Sequence, residues 1–542
     1  MLNPNLHGLS AVKSPRFEEE KTQQPLAILA DEAESVSIRL RLGLAMNDYK
    51  NIQKTPPLSL LLPTMADTTQ KPHAIFIPYP LQGHVIPSVH LAIKLASKGF
   101  TITFINTHSI HHQTSEAEPG IGPDIFATVR ESGLDIRYTT VSDGLPLGFD
   151  RSLNHDQFMA ALLHVFSAHV EEVVSKIVKS GDRVHCLIAD TFFVWPSKIA
   201  KKFGLLYISY WTEPALVFTL YYHLDLLRMN GHFGLQDCRE DSIDYIPGVQ
   251  AIEPRDLMSY LQETDVTSVC HQIIFNAFED AKNADFVLCN TVQELEPVTI
   301  SALRARVPFY AIGPIFPSGF TKSIVATSLW SESNCTQWLD KQPRASVLYV
   351  SFGSYAHVRK TDLTVIANGL LLSKVNFLWV LRPDIVSSDD ADPLPFGFKE
   401  EVGDRSMIIP WCCQIAVLAH PAVGGFLTHC GWNSILESAW SGVPLLCYPL
   451  LTDQFTNRKL VVHDWKAGIN LSNKNPITRE EVSDNINRLM SGRSGDQCRS
   501  MVTEAKETLG NALTPNGSSE KNMDQFIKEL RAKVQIKPIP SQ

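Results

Sequence analysis

The chain has 542 residues, of which 44% are hydrophobic and 19% are charged, and this composition excludes a disordered protein. Such a length exceeds what one hydrophobic core usually organises, so two domains are expected. The formal net charge of −9, without a long basic run, argues against nucleic acid as a partner.

The first 64 residues differ in character from the rest. They combine charged residues with Pro56-Pro57 and show no alternation of strand and helix patterns, whereas an apolar run follows shortly after Met65. We interpret residues 1–64 as an extension that is disordered or an artefact of the gene model, and we expect it to be dispensable for folding and activity. A transit peptide is the alternative, and the acidic run Glu18-Glu19-Glu20 disfavours it.

Residues 65–315 show strand and helix patterns in alternation, which predicts an α/β domain. The predicted strands are His73–Tyr79, Phe100–Ile105, His185–Ala189 and Leu205–Ser209. A loop is predicted over Pro80–Ile86, and the helix that follows, Pro87–Ser97, has proline at its first position. Val194–Phe203 is a further predicted helix.

The stretch 316–330 contains Pro, Ser and Gly and is the predicted linker to a second α/β domain over 331–515. The predicted strands there are Ser346–Phe352, Phe377–Leu381, Val423–Leu427 and Pro444–Tyr448. The predicted helices are Thr361–Leu372, one starting at Asn433, Arg479–Met490 and Arg499–Leu509. Residues 516–542 contain a last predicted helix, Ser519–Ala532, and a tail.

The turn after the strand Val423–Leu427 has the features of a phosphate site. It consists of His429, Cys430 and Gly431, and a helix follows it. A helix start directs free backbone N–H groups at one point, where a phosphate binds well. We expect Asn433 or Ser434 to cap this helix, with Glu437 completing a capping box with Ser434. Taken alone, so short a motif is more consistent with a structural role.

The longer stretch from Trp411 to Gln454 carries a stronger signal. It reads Trp-Cys-Cys-Gln at 411–414, His-Pro-Ala-Val-Gly-Gly-Phe-Leu-Thr-His-Cys-Gly-Trp-Asn-Ser at 420–434, then Glu437 and Asp453-Gln454. This order and spacing resemble the signature segment of plant family 1 UDP-glycosyltransferases. The resemblance covers about Lys71 to Lys533. It implies an α/β fold of two tandem Rossmann-like domains with a cleft between them, the GT-B fold, and a last helix that returns to the first domain.

The resemblance also implies a role for each matching residue of the donor site. Trp411 would stack on uracil, Gln414 would bond near the uridine, and Glu437 would accept the ribose hydroxyls. The diphosphate would be held by His429, Asn433, Ser434 and Ser354. The sugar would be held by Asp453, Gln454 and the Trp211-Thr212 pair, and Cys412 and Trp432 complete the set. No metal and no cofactor are expected, since the segment has no Asp-x-Asp motif.

Three positions of the segment refine this prediction. Cys412 and Cys413 stand where the family usually has a small residue and a proline, and cysteine is small enough for us to expect tolerance. Gln454 is typical of members that use UDP-glucose, whereas galactose users often carry His there. The resemblance therefore indicates glucose as the sugar.

Transfer with inversion needs a base for the acceptor hydroxyl, and histidine suits this task near neutral pH. His84 follows the first predicted strand, in Pro80-Leu81-Gln82-Gly83-His84, and Asp190 ends the strand His185–Ala189. Both match the family's catalytic pair, in which the acid orients the imidazole. Taken separately, His84 could be a capping or loop histidine, and Asp190 a helix N-terminal acid.

The sequence thus predicts an inverting glucosyltransferase whose partners are UDP-glucose and a small lipophilic acceptor with a hydroxyl or carboxyl group. The apolar stretch Trp211–Leu227 either lines the acceptor pocket or belongs to the core. A non-catalytic UDP-sugar-binding protein is the alternative, and a nicotinamide-dependent oxidoreductase is disfavoured because neither domain shows G-x-G-x-x-G after its first strand. We expect a cytoplasmic protein, because the ten cysteines are sparse and no apolar run reaches membrane-spanning length. We also expect a monomer.

Overall fold

The computed structural model describes residues 71–118, 122, 124–235, 239–316, 325, 327–386, 393–474 and 476–536. The predicted extension 1–64 lies outside these residues, as does most of the predicted linker 316–330. The architecture below refers to the described residues.

The first sheet is built from β1 His73–Ile77, β2 Thr101–Thr107, β3 Ile136–Val141, β4 Cys186–Asp190, β5 Leu206–Trp211, β6 Phe286–Cys289 and β7 Phe309–Ala311. Within the described part of the chain these seven strands run parallel in the order β3-β2-β1-β4-β5-β6-β7. Every residue of β1, β2, β4 and β5 is buried. Such strands need cover on both faces, as in a doubly wound α/β fold.

The second sheet is built from β8 Val347–Ser351, β9 Asn376–Val380, β10 Ser406–Ile409, β11 Val423–Thr428, β12 Leu445–Cys447 and β13 Gly468–Asn470. These strands, the ones resolved in the described ranges, are parallel in the order β10-β9-β8-β11-β12-β13. The winding direction therefore reverses between β1 and β4 in the first sheet and between β8 and β11 in the second. Ligands of open parallel sheets bind at the carboxyl ends of strands at such reversals.

Helices cover both sheets. The described α-helices are α1 Gln82–Ser97, α2 His108–Ala117, α3 Ala127–Glu131, α4 His155–His164, α5 Phe166–Lys179, α6 Pro196–Phe203, α7 Ala215–Tyr222, α8 Leu224–Met229, α9 Ser259–Gln262, α10 Val269–Ala281, α11 Pro297–Arg304, α12 Thr336–Leu339, α13 Lys360–Ser373, α14 Phe398–Val402, α15 Gln414–Leu418, α16 Trp432–Ser441, α17 Gln454–Lys459, α18 Arg479–Met490, α19 Arg493–Ala512 and α20 Ser518–Ile536. Short 3₁₀ helices occupy Pro254–Asp256 and Gly403–Arg405, and a π-helical turn occupies Leu460–Asp464.

The last helix packs on the first sheet. Met523, Phe526 and Leu530 of α20 are fully buried in one apolar cluster with residues of β1, β2 and α1. Glu520 forms an ion pair with Lys94 of α1 at 2.5 Å. The chain thus crosses back from the second sheet to cover the first.

Helix α1 begins earlier than the sequence indicates. The prediction of a loop over Pro80–Ile86 and a helix starting at Pro87 is wrong, because the backbone N–H groups of His84 and Val85 already donate to the Leu81 carbonyl at 2.9 Å. Pro87 lies inside the helix. Because proline has no N–H, the carbonyl four residues back receives no bond from position 87.

The apolar stretch around α7 belongs to the core. All residues of α7 except Tyr222 are buried, and Phe218 makes an edge-to-face contact with the fully buried Trp211. Of the two alternatives left open by the sequence, the structure favours core packing for this stretch.

Among the described residues, no individual helix has both the length and the apolarity that a bilayer crossing needs. The pair α4 and α5, bent by 44° relative to each other, satisfies that criterion only when taken together, by length and composition.

Candidate active site

A cavity of about 260 Å³ lies between the carboxyl ends of the two sheets. Twelve of the predicted site residues line it: His84, Thr212, Ser354, Trp411, Cys412, Gln414, His429, Trp432, Asn433, Ser434, Glu437 and Asp453. Asp190 and Gln454 do not line it. The cavity thus joins the two topological reversals, with the histidine on one wall and the signature segment on the other.

The first wall carries a histidine oriented by an acid. His84 lies in the first turn of α1, and its Nδ1 is 2.7 Å from Oδ2 of Asp190 and 2.9 Å from Oγ1 of Thr212. Asp190 is 1% exposed, and its Oδ1 accepts a hydrogen bond from the Phe192 N–H at 3.0 Å. An ionised carboxylate only accepts hydrogen bonds, so Nδ1 of His84 carries the proton. This leaves the lone pair on Nε2 free to act as a base.

The two walls are joined by a hydrogen bond next to Pro87. Nδ2 of Asn433 donates to the Gly83 carbonyl at 2.6 Å. Gly83 lies four residues before Pro87, so this carbonyl lacks the i+4 bond that an interior helix position normally supplies. Because α1 begins before Pro87, this proline lies inside the helix and makes the Gly83 carbonyl available as an acceptor for the opposite wall.

On the second wall, the start of α16 has the features of an anion site. Gly431 is the N-cap residue and no side chain caps this helix, so the predicted capping box is wrong. Ser434 and Glu437 lie inside the helix and instead accept hydrogen bonds from Nε2 of Gln414, at 3.0 and 2.7 Å. The N–H groups of the first turn remain available for a diphosphate.

His429 lies beside this helix start and is held tightly. A Cβ on Gly353 or on Gly431 would approach its Nε2 to 2.5 Å. Burial and the nearby Arg382 guanidinium lower the pKa of His429 to about 4. His429 is therefore neutral at physiological pH and can serve the phosphates as a neutral N–H donor.

Arg382 is a supporting residue that was not among the predicted site residues. Its guanidinium is 1% exposed and donates to the carbonyls of Gly353 and Ala356, the latter at 2.8 Å. Nε donates to Asp384 at 2.9 Å. Arg382 thus holds the loop that carries Ser354 and adds positive potential near His429. The signal that could have identified it is its position directly after β9, beside the topological reversal.

Gly353→Ala is expected to weaken UDP-glucose binding about tenfold or more, because the new methyl group displaces the His429 ring from the anion site. The backbone is also strained, since Gly353 has φ +76°. Gly397→Ala is a matched control: Gly397 has φ +75°, and a Cβ added there would meet no described atom within 4 Å. Isothermal calorimetry measures both affinities. An equal loss in the two variants would contradict the role given to the Gly353–His429 contact.

The part of the cavity where the sequence predicts uridine binding is lined by the Trp411–Gln414 segment. The half-buried Trp411 ring lies 6.4 Å from Trp330, and Oε1 of Gln414 accepts from the Tyr349 hydroxyl at 3.2 Å. Cys412 is 3% exposed and packs against Tyr349. Cys413 has a φ angle of −71°, which lies in the range that a proline ring enforces. The backbone φ angle is therefore the one expected if proline stood at this position.

The part of the cavity where the sequence predicts sugar binding is lined by Asp453, whose Oδ1 accepts a hydrogen bond from Oγ1 of Thr452 at 2.7 Å. Burial raises the pKa of Asp453. Gln454 is 5% exposed, and its Oε1 accepts from the backbone N–H groups of Leu450 and Leu451 at 2.9 and 3.0 Å. The amide oxygen of Gln454 therefore holds the loop, and only its Nε2 is left for another partner. Trp432 is 3% exposed and donates to the Asn290 carbonyl at 2.7 Å.

Known proteins are similar to this chain in sequence and in fold. The model of the family described as UDP-glucoronosyl and UDP-glucosyl transferase matches residues 289–497. The chain is 64% identical over 465 residues to UDP-glycosyltransferase 86A2 of Arabidopsis thaliana, a match that spans 85% of this chain and 95% of that protein. The chain belongs to the UDP-glycosyltransferase family.

This UDP-glycosyltransferase is also 36% identical to 7-deoxyloganetin glucosyltransferase of Gardenia jasminoides, over 86% of this chain and 98% of that protein. The structure of Phytolacca americana UGT2 complexed with UDP-2fluoro-glucose and pterostilbene superimposes with a TM-score of 0.70 at 27% identity, over 85% of this chain and 99% of that one. The predictions of the family, of an enzyme and of the GT-B fold are thereby confirmed.

Within the described residues of this UDP-glycosyltransferase, no group of three or more His, Cys, Asp and Glu side chains is arranged to hold a metal ion.

Proposed function

We propose that this UDP-glycosyltransferase is an inverting glucosyltransferase that moves glucose from UDP-glucose to a hydroxyl or carboxyl group of a small lipophilic acceptor. His84 is the general base and Asp190 orients it. The observation that carries the proposal is the 2.7 Å contact between His84 Nδ1 and Asp190 on the wall opposite the anion site. A sugar bound through its diphosphate at α16 extends toward the free Nε2 of His84.

The proposed reaction is a single displacement. Nε2 of His84 takes the proton of the acceptor hydroxyl as that oxygen attacks the anomeric carbon. The bond from this carbon to the diphosphate oxygen breaks, and UDP leaves with the bonding pair. The buried Asp190 carboxylate stabilises the imidazolium that forms, as an acid behind a catalytic histidine does.

The departing diphosphate gains negative charge, and the second wall supplies the donors for it. The uncapped start of α16, the hydroxyl of Ser434 and the neutral His429 all face this point. Preorganised donors of this kind stabilise a developing charge without any reorganisation of solvent. We propose that these groups serve the leaving diphosphate, with no metal and no cofactor.

Glucose is favoured as the sugar because Asp453-Gln454 end the segment and because similar proteins include glucosyltransferases. A lipophilic acceptor is favoured by an aromatic ring beside the base: the half-buried Phe192 lies 5.7 Å from the His84 ring. Such rings bind apolar and aromatic molecules next to the reacting hydroxyl. We further propose a monomeric cytoplasmic enzyme of plant secondary metabolism.

Incubation with radiolabelled UDP-glucose and a panel of phenols and lipophilic alcohols tests this function. We expect a labelled glucoside whose anomeric configuration, read by NMR, is inverted relative to the donor. Retained configuration would refute the single displacement. Tight UDP binding without transfer to any acceptor would instead favour a non-catalytic UDP-sugar-binding protein.

UDP-glucose binding is expected to strengthen about tenfold between pH 6 and pH 8, because burial raises the pKa of Glu437 to about 7. The ribose hydroxyls donate best to an ionised carboxylate, which predominates only above that pKa. Calorimetry at pH 6, 7 and 8 measures the effect, and UDP-glucose is a suitable ligand because its diphosphate has no group that titrates in this range. Glu437→Gln should bind more weakly at pH 8 and with little pH dependence; an unchanged slope in this variant would assign the effect to another group.

A further inference from the structure

Glu213 lies in the catalytic cavity, and the proposed reaction gives it no role. It follows Thr212 at the end of β5, lines the cavity and is 8% exposed. Its backbone carbonyl accepts a hydrogen bond from Sγ of Cys289 at 3.4 Å, which fixes the residue to the neighbouring strand β6. The side chain therefore occupies a defined place beside the residue that contacts the base.

The carboxyl group of Glu213 lacks the partners that such a buried group normally has. Oε2 is buried without a hydrogen-bond partner, and no cation pairs with Glu213 among the described residues. Burial raises the pKa of Glu213 well above its usual range, and the nearby Asp453 and Asp190 raise it further. Burial therefore favours the neutral form of the carboxyl, which can both donate and accept hydrogen bonds.

Glu296 shows how this fold treats a buried glutamate with a structural task. Its carboxyl oxygens accept from the backbone N–H groups of Ala215 and Leu216, at 3.0 and 2.7 Å, and from the Thr291 hydroxyl. A buried polar group without such partners costs free energy, so it is expected where a ligand supplies them. Glu213 fits that second case.

The position of Glu213 identifies the part of the substrate it meets. On one side, the adjacent Thr212 contacts Nδ1 of His84 at 2.9 Å. Asp453 of the second wall lines the same cavity, and its charge contributes to the raised pKa of Glu213. The group that lies between the base and the diphosphate site is the transferred sugar, and its hydroxyls are the partners that a protonated carboxyl requires.

We infer that Glu213 is a sugar-binding residue: its carboxyl group hydrogen-bonds a hydroxyl of the transferred sugar. This inference rests on the proposed function for the identity of the reaction. A neutral hexose supplies the partner that the buried Glu213 carboxyl lacks.

The test compares Glu213→Gln and Glu213→Ala with the wild-type enzyme and with Glu253→Gln, an exposed control outside the cavity. Calorimetry without acceptor gives the dissociation constants of UDP and UDP-glucose. Turnover with one fixed phenol gives kcat/KM for UDP-glucose. Thermal melting shows whether each variant is folded.

We expect Glu213→Ala to lose about tenfold or more in affinity and in kcat/KM for UDP-glucose, with UDP affinity changed by less than about twofold. Glu213→Gln retains a neutral hydrogen-bonding group of nearly the same size. It should keep UDP-glucose affinity within about threefold of wild type.

Two results would overturn the inference: unchanged UDP-glucose affinity in the folded Glu213→Ala variant, or a parallel loss of UDP affinity, which would mean that Glu213 only supports the fold. Because binding is measured without turnover, the inference can succeed or fail independently of transfer. Absence of transfer by the wild-type enzyme, with UDP-glucose affinity still dependent on Glu213, would refute the proposed function alone.

Discussion

His84→Ala is expected to lower kcat by about 10²- to 10⁴-fold, because it removes the group that takes the acceptor proton. UDP affinity should stay within about twofold of wild type, since the uridine and diphosphate contacts lie on the opposite wall. Steady-state kinetics with a phenol acceptor and calorimetry with UDP provide the two measurements.

The comparison that isolates the base uses two acceptors. An acidic phenol that is already ionised at the assay pH needs no base, so its turnover by His84→Ala should fall far less than that of a neutral alcohol. His164→Ala, an exposed histidine at the end of α4, is the control for histidine removal. An equal loss with both acceptors would show that His84 acts by holding the site together rather than by moving the proton.

Asp190→Asn is expected to reduce kcat nearly as strongly, by about 10²- to 10⁴-fold, although it changes no volume. An asparagine amide at this position can donate to Nδ1 of His84. The imidazole proton then moves to Nε2, and the lone pair no longer faces the acceptor. Among the described residues, the other side-chain partner of Nδ1 of His84 is the Thr212 hydroxyl, whose Oγ1 lies 2.9 Å away.

The control for this variant is Asp244→Asn, at an exposed position. The acidic phenol again discriminates, because an acceptor that is already ionised should recover much of the lost turnover in Asp190→Asn. If Asp190→Asn keeps wild-type kcat with a neutral alcohol, the orienting role of Asp190 is refuted. A lowered melting temperature with proportionate loss on both acceptors would point to a structural role instead.

The sequence predicted the strands best where they are apolar throughout. β1, β4 and β5 are buried over their whole length, so each was predicted from its apolar run. β3 was missed because its pattern is mixed: only Ile136 and Val141, its first and last residues, are buried. Helix α18 begins at Arg479 as predicted, where the Thr478 hydroxyl accepts from the Glu481 N–H.

Helix starts were predicted less well where function alters the local rules. Pro87 suggested a first helical position, yet it lies inside α1 and frees the Gly83 carbonyl for Asn433. Ser434 and Glu437 matched a capping box, yet both contact Gln414 and leave the α16 start uncapped. Local sequence rules assume that each helix satisfies its own backbone groups, and a ligand site is where that assumption fails.

The candidate site was predicted as a set of residues but not as a set of contacts. Family resemblance supplied twelve of the residues that line the cavity between the two topological reversals. The bond between Asn433 and Gly83 joins positions 350 residues apart, so no local pattern predicts it. The inward turn of the Gln454 amide and the unpartnered carboxyl of Glu213 also depend on tertiary packing alone.

The return of α20 to the first sheet has a consequence for engineering. A chimera that exchanges the second half of this enzyme at the 316–330 stretch would import a foreign terminal helix, whose side chains would have to replace Phe526 and Leu530 on the first sheet. Ser519 donates to the Gly313 carbonyl and Glu520 pairs with Lys94, so polar contacts would be mismatched as well. Donor and acceptor halves therefore become interchangeable modules only with a second junction, between α19 and α20.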